Sequence, residues 1–430
     1  MKNLSVGKRS AYKKVLKRKA GVLLPTPHIN ASLPIVAFLD PVCQPKIVNP
    51  HAPLILPDKK LLILKGPKPV NRKQIEMSVT LLSESVGLFG ELKKISYGNP
   101  ELTALREGLA QSLVQSRAVS TFGKYMPLVT KWEGFSNNVN SPPFPANLPI
   151  FLLYLQKLKA IAEVKKTKGS NVSDSVYAVD FAHRLRGLPL PGSYEPIRLL
   201  CNATRRQLAR PVIKKRPVEK SEIVKMLNHA VPDFRQMDVG DMRAALFAVL
   251  AFCLEARFDD LCDLSLSSFF DYGEYIIVFI EHRKTDQYRE GQFVPIYDNG
   301  EPRGACEFLR AALLVLGAVP GSFSSESIVP IFRKIGNGVN RGRYLRPEGL
   351  SYSRVRELVR DLLSAIGLDP NDHGLHSFRS GAATHAANEP GISDSEWGKH
   401  GGWCPGSTAQ IGYVKDSAIR ALKVPKALAL

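Results

Sequence analysis

Acidic residues are scarce in this sequence. Asp and Glu number 39 against 59 Lys and Arg, a formal charge of +20 over 430 residues. Such an imbalance favours a polyanionic partner, of which nucleic acid is the commonest large example. Cysteine is sparse and scattered: Cys43, Cys201, Cys253, Cys262, Cys306 and Cys404 form no C-x-x-C pair. That spacing argues against a cysteine-rich zinc module and against a disulfide framework, and points to a reducing compartment. Long apolar runs are missing too. The longest, AALFAVLAFCLEA (244–256), is too short and too near charges to cross a bilayer, and reads as a buried core helix. The start, MKNLSVGKRSAYKKVLKRKAGVLLP, has no continuous apolar core, so neither a secretory signal nor a membrane partner is expected.

What is present is an ordinary globular balance, 44% hydrophobic and 23% charged, in a chain long enough for two or three domains. Residues 1–20 carry eight Lys/Arg and no acid, and 21–75 are rich in proline without sustained periodicity. Residues 1–95 therefore read as a basic, Pro-rich extended arm, whose KRSAYKKVLKRK suits a nuclear-import signal or a phosphate-binding segment. From 96 the pattern turns helical: Val119, Phe122, Tyr125, Met126, Val129 and Trp132 recur at helical intervals. Asn147 and Pro149 can open the next helix, and two more are stopped by Gly or Pro. Residues 96–210 read as an all-α domain displaying His183, Arg184, Arg186, Arg205, Arg206 and Arg210 for phosphate contacts. A Pro-broken linker follows at 211–218, with Lys214 and Lys215 as further DNA-binding candidates. Beyond it come helices at 219–230 and 240–255, a strand in YIIVFIEHRK, a turn, a returning strand QFVPI, and helices in ACEFLRAALLVLGA and SYSRVRELVRDLLSAIGL. The fold class expected is mainly α with a small β-hairpin sheet, α+β.

Four stretches place polar residues where folding alone would not. Arg257 follows the apolar helix directly, and an arginine there needs an anion or carboxylate; Asp260, three residues on, can orient it. Lys284 lies at the end of the first hairpin strand, in EHRKTDQ. In HGLHSFRSGAATHAA, His376 and Arg379 fall on one helix face, followed by Gly381, Ala382 and Ala383, small enough for a close approach. In GKHGGWCPGSTAQIGYVKDS, His400 and Trp403 precede a glycine-interrupted turn, with Tyr413 ten residues beyond Trp403.

In this order an arginine after a helix, a lysine on a hairpin, H-x-x-R, a His or Trp after Gly, and a late tyrosine resemble the tyrosine recombinase/integrase family, over about 100–420. The mix of HRKTDQ, GLHSFRSGAATHA and GGW…GYV resembles most the DIRS-like and Crypton-like recombinases of eukaryotic mobile elements. The resemblance implies an all-α core-binding domain followed by a catalytic domain at 219–430, the two closing on DNA as a C. It implies that Arg257 and Arg379 donate to the non-bridging oxygens of a scissile phosphate, where charge builds up during attack. Tyr413 would be the nucleophile, His376 the base and Lys284 the acid for the departing 5′ oxygen. The His-or-Trp phosphate contact falls to Trp403, with His400 the alternative. The implied product is a 3′-phosphotyrosine ester and a free 5′ hydroxyl, with neither metal nor ATP nor other cofactor. The implied partner is double-stranded DNA, bound by a homotetramer on two duplexes, in the nucleus if the host is eukaryotic. Two other readings share these residues: a domesticated DNA-binding descendant that no longer cuts, and a type IB topoisomerase-like nicking-closing enzyme.

Overall fold

In a computed structural model, the described residues are 54, 56–58, 62, 64–66, 69–286, 288–298, 303–318, 329–338, 342–415, 417 and 421–428. The basic run at 1–20, with its proposed import signal, and the proline-rich 21–53 lie outside them. The chain divides into two compact units, one of residues 66–213 and one of residues 1–65 with 214–430.

The first unit is all helical: α1 (Arg72–Ser83), α2 (Gly87–Ile95), α3 (Pro100–Gln115), α4 (Val119–Asn138), α5 (Leu148–Val164), α6 (Ser170–Arg186) and α7 (Glu195–Gln207). The extended arm expected up to residue 95 therefore does not include 72–95. Asn71 and Gln74 close a reciprocal capping box at the start of α1, with Gln74 N–H donating to Asn71 Oδ1 at 2.9 Å. Leu81 and Phe89 are fully buried against Ala110, Val114, Phe122, Phe181 and Leu185. Burial of this apolar face makes helices of a segment that follows a proline-rich stretch. Trp132, Phe151, Tyr154 and Val179 form a second core in this unit. Lys65 is likewise not part of a free arm: its N–H donates to Glu281 Oε2 at 2.8 Å and its Nζ to the Asp263 carbonyl at 2.6 Å.

Two residues expected to face DNA are interior instead. Arg186 is 3% exposed, pairs with Glu84 at 2.6 Å, donates to the Ala182 carbonyl and lies 3.9 Å over the Phe144 ring. His183 is buried, Nδ1 donating to the Val179 carbonyl at 2.8 Å while Nε2 accepts from Ala146 N–H at 3.0 Å. Those two roles fix the neutral imidazole, and burial lowers its pKa from the ordinary value. Arg184, Arg205, Arg206 and Arg210 do lie exposed. Arg186→Ala should accordingly cost about 3–5 kcal/mol, the usual penalty for breaking a buried ion pair by removing one partner. Thermal unfolding checks this, with Arg205→Ala as the exposed control expected to stay within about 0.5 kcal/mol.

The second unit is built around α9 (Val239–Cys253), which is buried on nearly every side from Met242 to Ala251. Asp238 caps it, accepting from Gly240 N–H at 2.7 Å. Around it stand α8 (Lys220–Ala230), α10 (Phe258–Leu261), α11 (Ala305–Ala318), α12 (Tyr352–Ala365) and α13 (His376–Asn388), with α14 (Asp394–His400) packed on α13. A three-stranded antiparallel sheet orders as β1 (Phe269–Asp271), β2 (Tyr275–Ile280), β3 (Gln292–Tyr297). The register pairs Val278 with both Phe269 and Val294, so fully buried β2 is central. Pro295, which cannot donate to a ladder, falls on edge strand β3. A separate hairpin pairs β4 (Arg333–Gly338) with β5 (Gly342–Gly349). The fold is thus mainly α with small antiparallel sheets, as the sequence predicts. β1 and the second hairpin were not among the expected strands; RKIGNG and GRYLRPEG are glycine-rich and charged and lack an apolar alternation.

Candidate active site

The turn between α9 and α10 carries Glu255 and Arg257. Asp260 is 3% exposed and its Oδ2 accepts the Arg257 backbone N–H at 2.9 Å, while the Arg257 guanidinium lies 3.9 Å away. The carboxylate thus fixes the main chain of Arg257 more directly than its side chain. Arg257 Nη1 is buried without a hydrogen-bond partner among the described residues.

The β2–β3 connection supplies a second arginine that sequence reasoning passed over. Arg283 is 2% exposed, donating to the Gly401 carbonyl at 2.6 Å and the Leu254 carbonyl at 3.2 Å, with Asp260 Oδ2 at 4.0 Å. Lys284, the residue singled out in the sequence, is exposed beside it. Thr285 Oγ1 donates to the Gly402 carbonyl at 3.0 Å, and Gln292 Nε2 to the Lys399 carbonyl at 2.8 Å. These bonds tie the hairpin to the turn after α14. The sequence signal for Arg283 is its place three residues after the fully apolar strand, next to Lys284.

Helix α13 carries Arg379, which is fully buried. Its Nη1 donates to the Glu255 carbonyl and its Nη2 to the Gly401 carbonyl at 2.9 Å. Its Cζ lies 3.7 Å from the Trp403 ring centroid and 5.3 Å from that of Tyr413. His376, one turn earlier, is exposed at the start of α13; desolvation, then the Arg257 and Arg379 charges, lower its pKa from the usual value. Desolvation and the neighbouring Arg257 and Arg283 cations likewise lower that of Arg379.

The small residues after Arg379 do not open α13 to a duplex. Gly381, Ala382 and Ala383 are buried, and a Cβ on Gly381 would lie 1.8 Å from the Val218 carbonyl oxygen. The segment after Lys214 lies along α13, with Val218 N–H donating to the Ser377 carbonyl at 3.0 Å and Arg216 N–H to that of Asp372 at 2.8 Å. Lys214 and Lys215 are exposed, yet their Nζ atoms reach the carbonyls of Gly412 and Asn371.

Trp403 is 6% exposed and packs edge-on against Trp397 and Tyr413, at 5.4 and 5.3 Å between ring centroids; among the described residues its indole nitrogen has no hydrogen-bond partner. His400 instead points away to the Cys253 carbonyl, Nε2 donating at 2.8 Å; burial lowers its pKa. Tyr413 ends a short 3₁₀ turn (Ile411–Tyr413), and its carbonyl accepts from Ser380 Oγ and from Thr384 Oγ1. Asn388 Nδ2 donates to the Lys415 carbonyl at 3.0 Å. Ser380, Thr384 and Asn388 therefore form a polar stripe at four-residue spacing that holds the tyrosine segment on α13. The sequence signal for that stripe is the four-residue spacing of Ser, Thr and Asn in RSGAATHAAN.

Arg257, Arg379, Trp403 and Tyr413 thus gather in one place with Arg283, Asp260 and Glu255, while His376 and Lys284 stand exposed on the same unit. Three guanidiniums held together by backbone carbonyls and two carboxyls can stabilise an anion, and a tyrosine beside them can attack one.

No protein-family model matches the sequence, and no curated protein matches it. Solved structures do resemble it. One is the XerH site-specific recombinase bound to a palindromic difH substrate in a post-cleavage complex, with 12% identity, 83% of this chain and 94% of that chain covered, and a TM-score of 0.49. A lambda integrase dimer bound to a COC′ core site gives 19% identity, 74% and 95% coverage, and a TM-score of 0.43. The Tn1549 transposon integrase in complex with circular intermediate DNA gives 13% identity, 80% and 99% coverage, and a TM-score of 0.40.

Proposed function

We propose that this chain is a DNA strand-cleaving and rejoining enzyme of the tyrosine recombinase/integrase type, acting through a 3′-phosphotyrosine intermediate. The observation that carries the reading is the gathering of Arg379 over the Trp403 ring and near that of Tyr413, with Arg257 Nη1 buried and making no hydrogen bond among the described residues. In this reading Tyr413 Oη attacks phosphorus and gives its proton to His376, whose lowered pKa keeps it a neutral acceptor at pH 7. The bond from phosphorus to the 5′ oxygen breaks, and Lys284 protonates the leaving oxygen. Arg257 and Arg379 hold the non-bridging oxygens, and the Trp403 indole N–H has a donor to spare for one of them. Arg379 reaches the phosphate as the Gly401–Trp403 turn shifts, since both its terminal nitrogens now meet backbone carbonyls. Residues 66–213 serve as the core-binding domain, with Arg184, Arg205 and Arg206 on phosphates. Mobile-element integration by a homotetramer on two duplexes, in a eukaryotic nucleus, is the setting the sequence resemblance favours.

A DNA-binding descendant that no longer cuts is the second reading, favoured by the full burial of Arg379. Incubation with nicked duplexes separates the two: the enzyme accumulates a detergent-resistant adduct, the descendant binds in a salt-dependent manner without one. Lys284→Ala should cut a normal duplex about 10²–10⁴-fold more slowly, the usual worth of a positioned acid. A substrate with sulfur in place of the 5′ bridging oxygen needs no proton to leave and should restore the rate. Failure of that rescue would move the acid elsewhere.

A further inference from the structure

Glu255 has no part in the reaction just described, yet it occupies the middle of the arginine cluster. Its backbone is in the left-handed region, φ 44°, a conformation that Cβ sterics disfavour for a non-glycine residue. It is 3% exposed, and Oε2 is buried with no hydrogen-bond partner among the described residues. A Cβ on Gly401 would lie 2.5 Å from that oxygen, so the carboxyl packs directly against the turn whose carbonyl receives both Arg283 and Arg379. A buried glutamate in a left-handed backbone, with one oxygen making no hydrogen bond and the charges of Arg379 and Arg283 acting on it, is not explained by stability alone.

The charges that act on its carboxyl are Arg379 from α13 and Arg283 from the β2–β3 connection. Arg257 and Asp260 follow it on its own turn, and His376 of α13, His400 of α14 and Tyr413 of the C-terminal turn border the same arginines. With Asp260 and Glu255 both ionised, three arginines face two carboxylates. A phosphodiester entering the pocket brings its own negative charge, and the carboxylate of Glu255 then becomes a like charge in a buried site.

We infer that Glu255 is a positioning residue that stands in electrostatically for the substrate phosphate, holding Arg283 and Arg379 gathered on the Gly401 carbonyl, and that it takes up one proton when an anion enters. The inference rests on the anion-binding reading of this pocket. Burial raises the Glu255 pKa to about 7 against the opposing pull of Arg379 and Arg283, so the carboxyl can change state at neutral pH. Below that value it is already neutral and an anion binds without proton uptake. Above it, one proton must be taken from solvent, and affinity falls by about tenfold per pH unit. His376 and His400, held below 6.5, titrate on the acid side of this window.

The test uses sulfate, a tetrahedral anion whose charge is constant over the range. The full chain is labelled with 5-fluorotryptophan, and the ¹⁹F signal of Trp403, assigned with Trp403→Phe, reports occupancy of this pocket rather than of other basic sites. Sulfate affinity should fall about tenfold between pH 6 and pH 8 in the wild type. It should be nearly flat in Glu255→Gln, which keeps the shape but cannot titrate, and should fall again in Glu255→Asp, which can. The same pH dependence in wild type and Glu255→Gln would overturn the role of Glu255. A Trp403 signal indifferent to sulfate at every pH would overturn the anion pocket and the role together. Loss of the covalent DNA adduct with the sulfate pattern intact would instead refute strand cleavage and leave Glu255 standing.

Discussion

Arg257→Ala is expected to slow strand cleavage by about 10²–10³-fold while leaving the fold nearly untouched, since a single preorganised donor to a developing oxyanion is worth that much. The stability side of the expectation comes from the contacts. Asp260 keeps the Arg257 backbone N–H at 2.9 Å and its approach to Arg283 at 4.0 Å when the side chain is gone. Among the described residues the Arg257 side chain is held by a 3.9 Å ion pair from Nη1 to Asp260, and that buried nitrogen makes no hydrogen bond. Single-turnover cleavage and thermal unfolding on the same sample decide it. A rate loss matched by an equal loss of stability would make Arg257 a structural residue.

Arg379→Ala should fail on both counts. The Glu255 carbonyl loses its guanidinium donor, the stacking under Trp403 is lost, and a cavity opens at a fully buried site. An unsatisfied buried acceptor costs about 1–3 kcal/mol, and a large truncation in a core costs 2–5 kcal/mol. Relief of repulsion among Arg257, Arg283 and Arg379 offsets part of this, so a net loss of about 2–5 kcal/mol is expected. Arg379→Lys is the informative companion. It retains a cation but not the planar fork that reaches the Glu255 and Gly401 carbonyls together, and should keep most of the stability while cutting at least 10²-fold more slowly. Denaturant unfolding alongside cleavage rates checks both variants.

Much of this was legible because long apolar periods leave little choice. The run 244–256 had to be buried helix, and YIIVFI had to be strand. Helices α1 and α2 escaped notice because a proline-rich stretch precedes them and their apolar face is narrow. At the site, Arg257, Arg379, Trp403 and Tyr413, which the sequence resemblance groups together, lie together in the structure. Burial was not legible at single residues. Arg186 and Arg184 are two apart on one helix, and only the core of residues 66–213 decides that the first pairs with Glu84 and the second meets solvent. Glu255 escaped for a related reason: nothing in LEAR reveals a left-handed backbone that turns the side chain inward.

The central claim is that Tyr413 attacks DNA. A pool of nicked duplexes of random sequence is incubated with the full chain, the protein is digested with trypsin, and the peptides carrying nucleotide are sequenced by mass spectrometry. The account predicts nucleotide on Tyr413 within HGGWCPGSTAQIGYVK, residues 400–415, and none when Tyr413→Phe protein is used. Nucleotide on any other residue, or an adduct that survives in the phenylalanine variant, would contradict it.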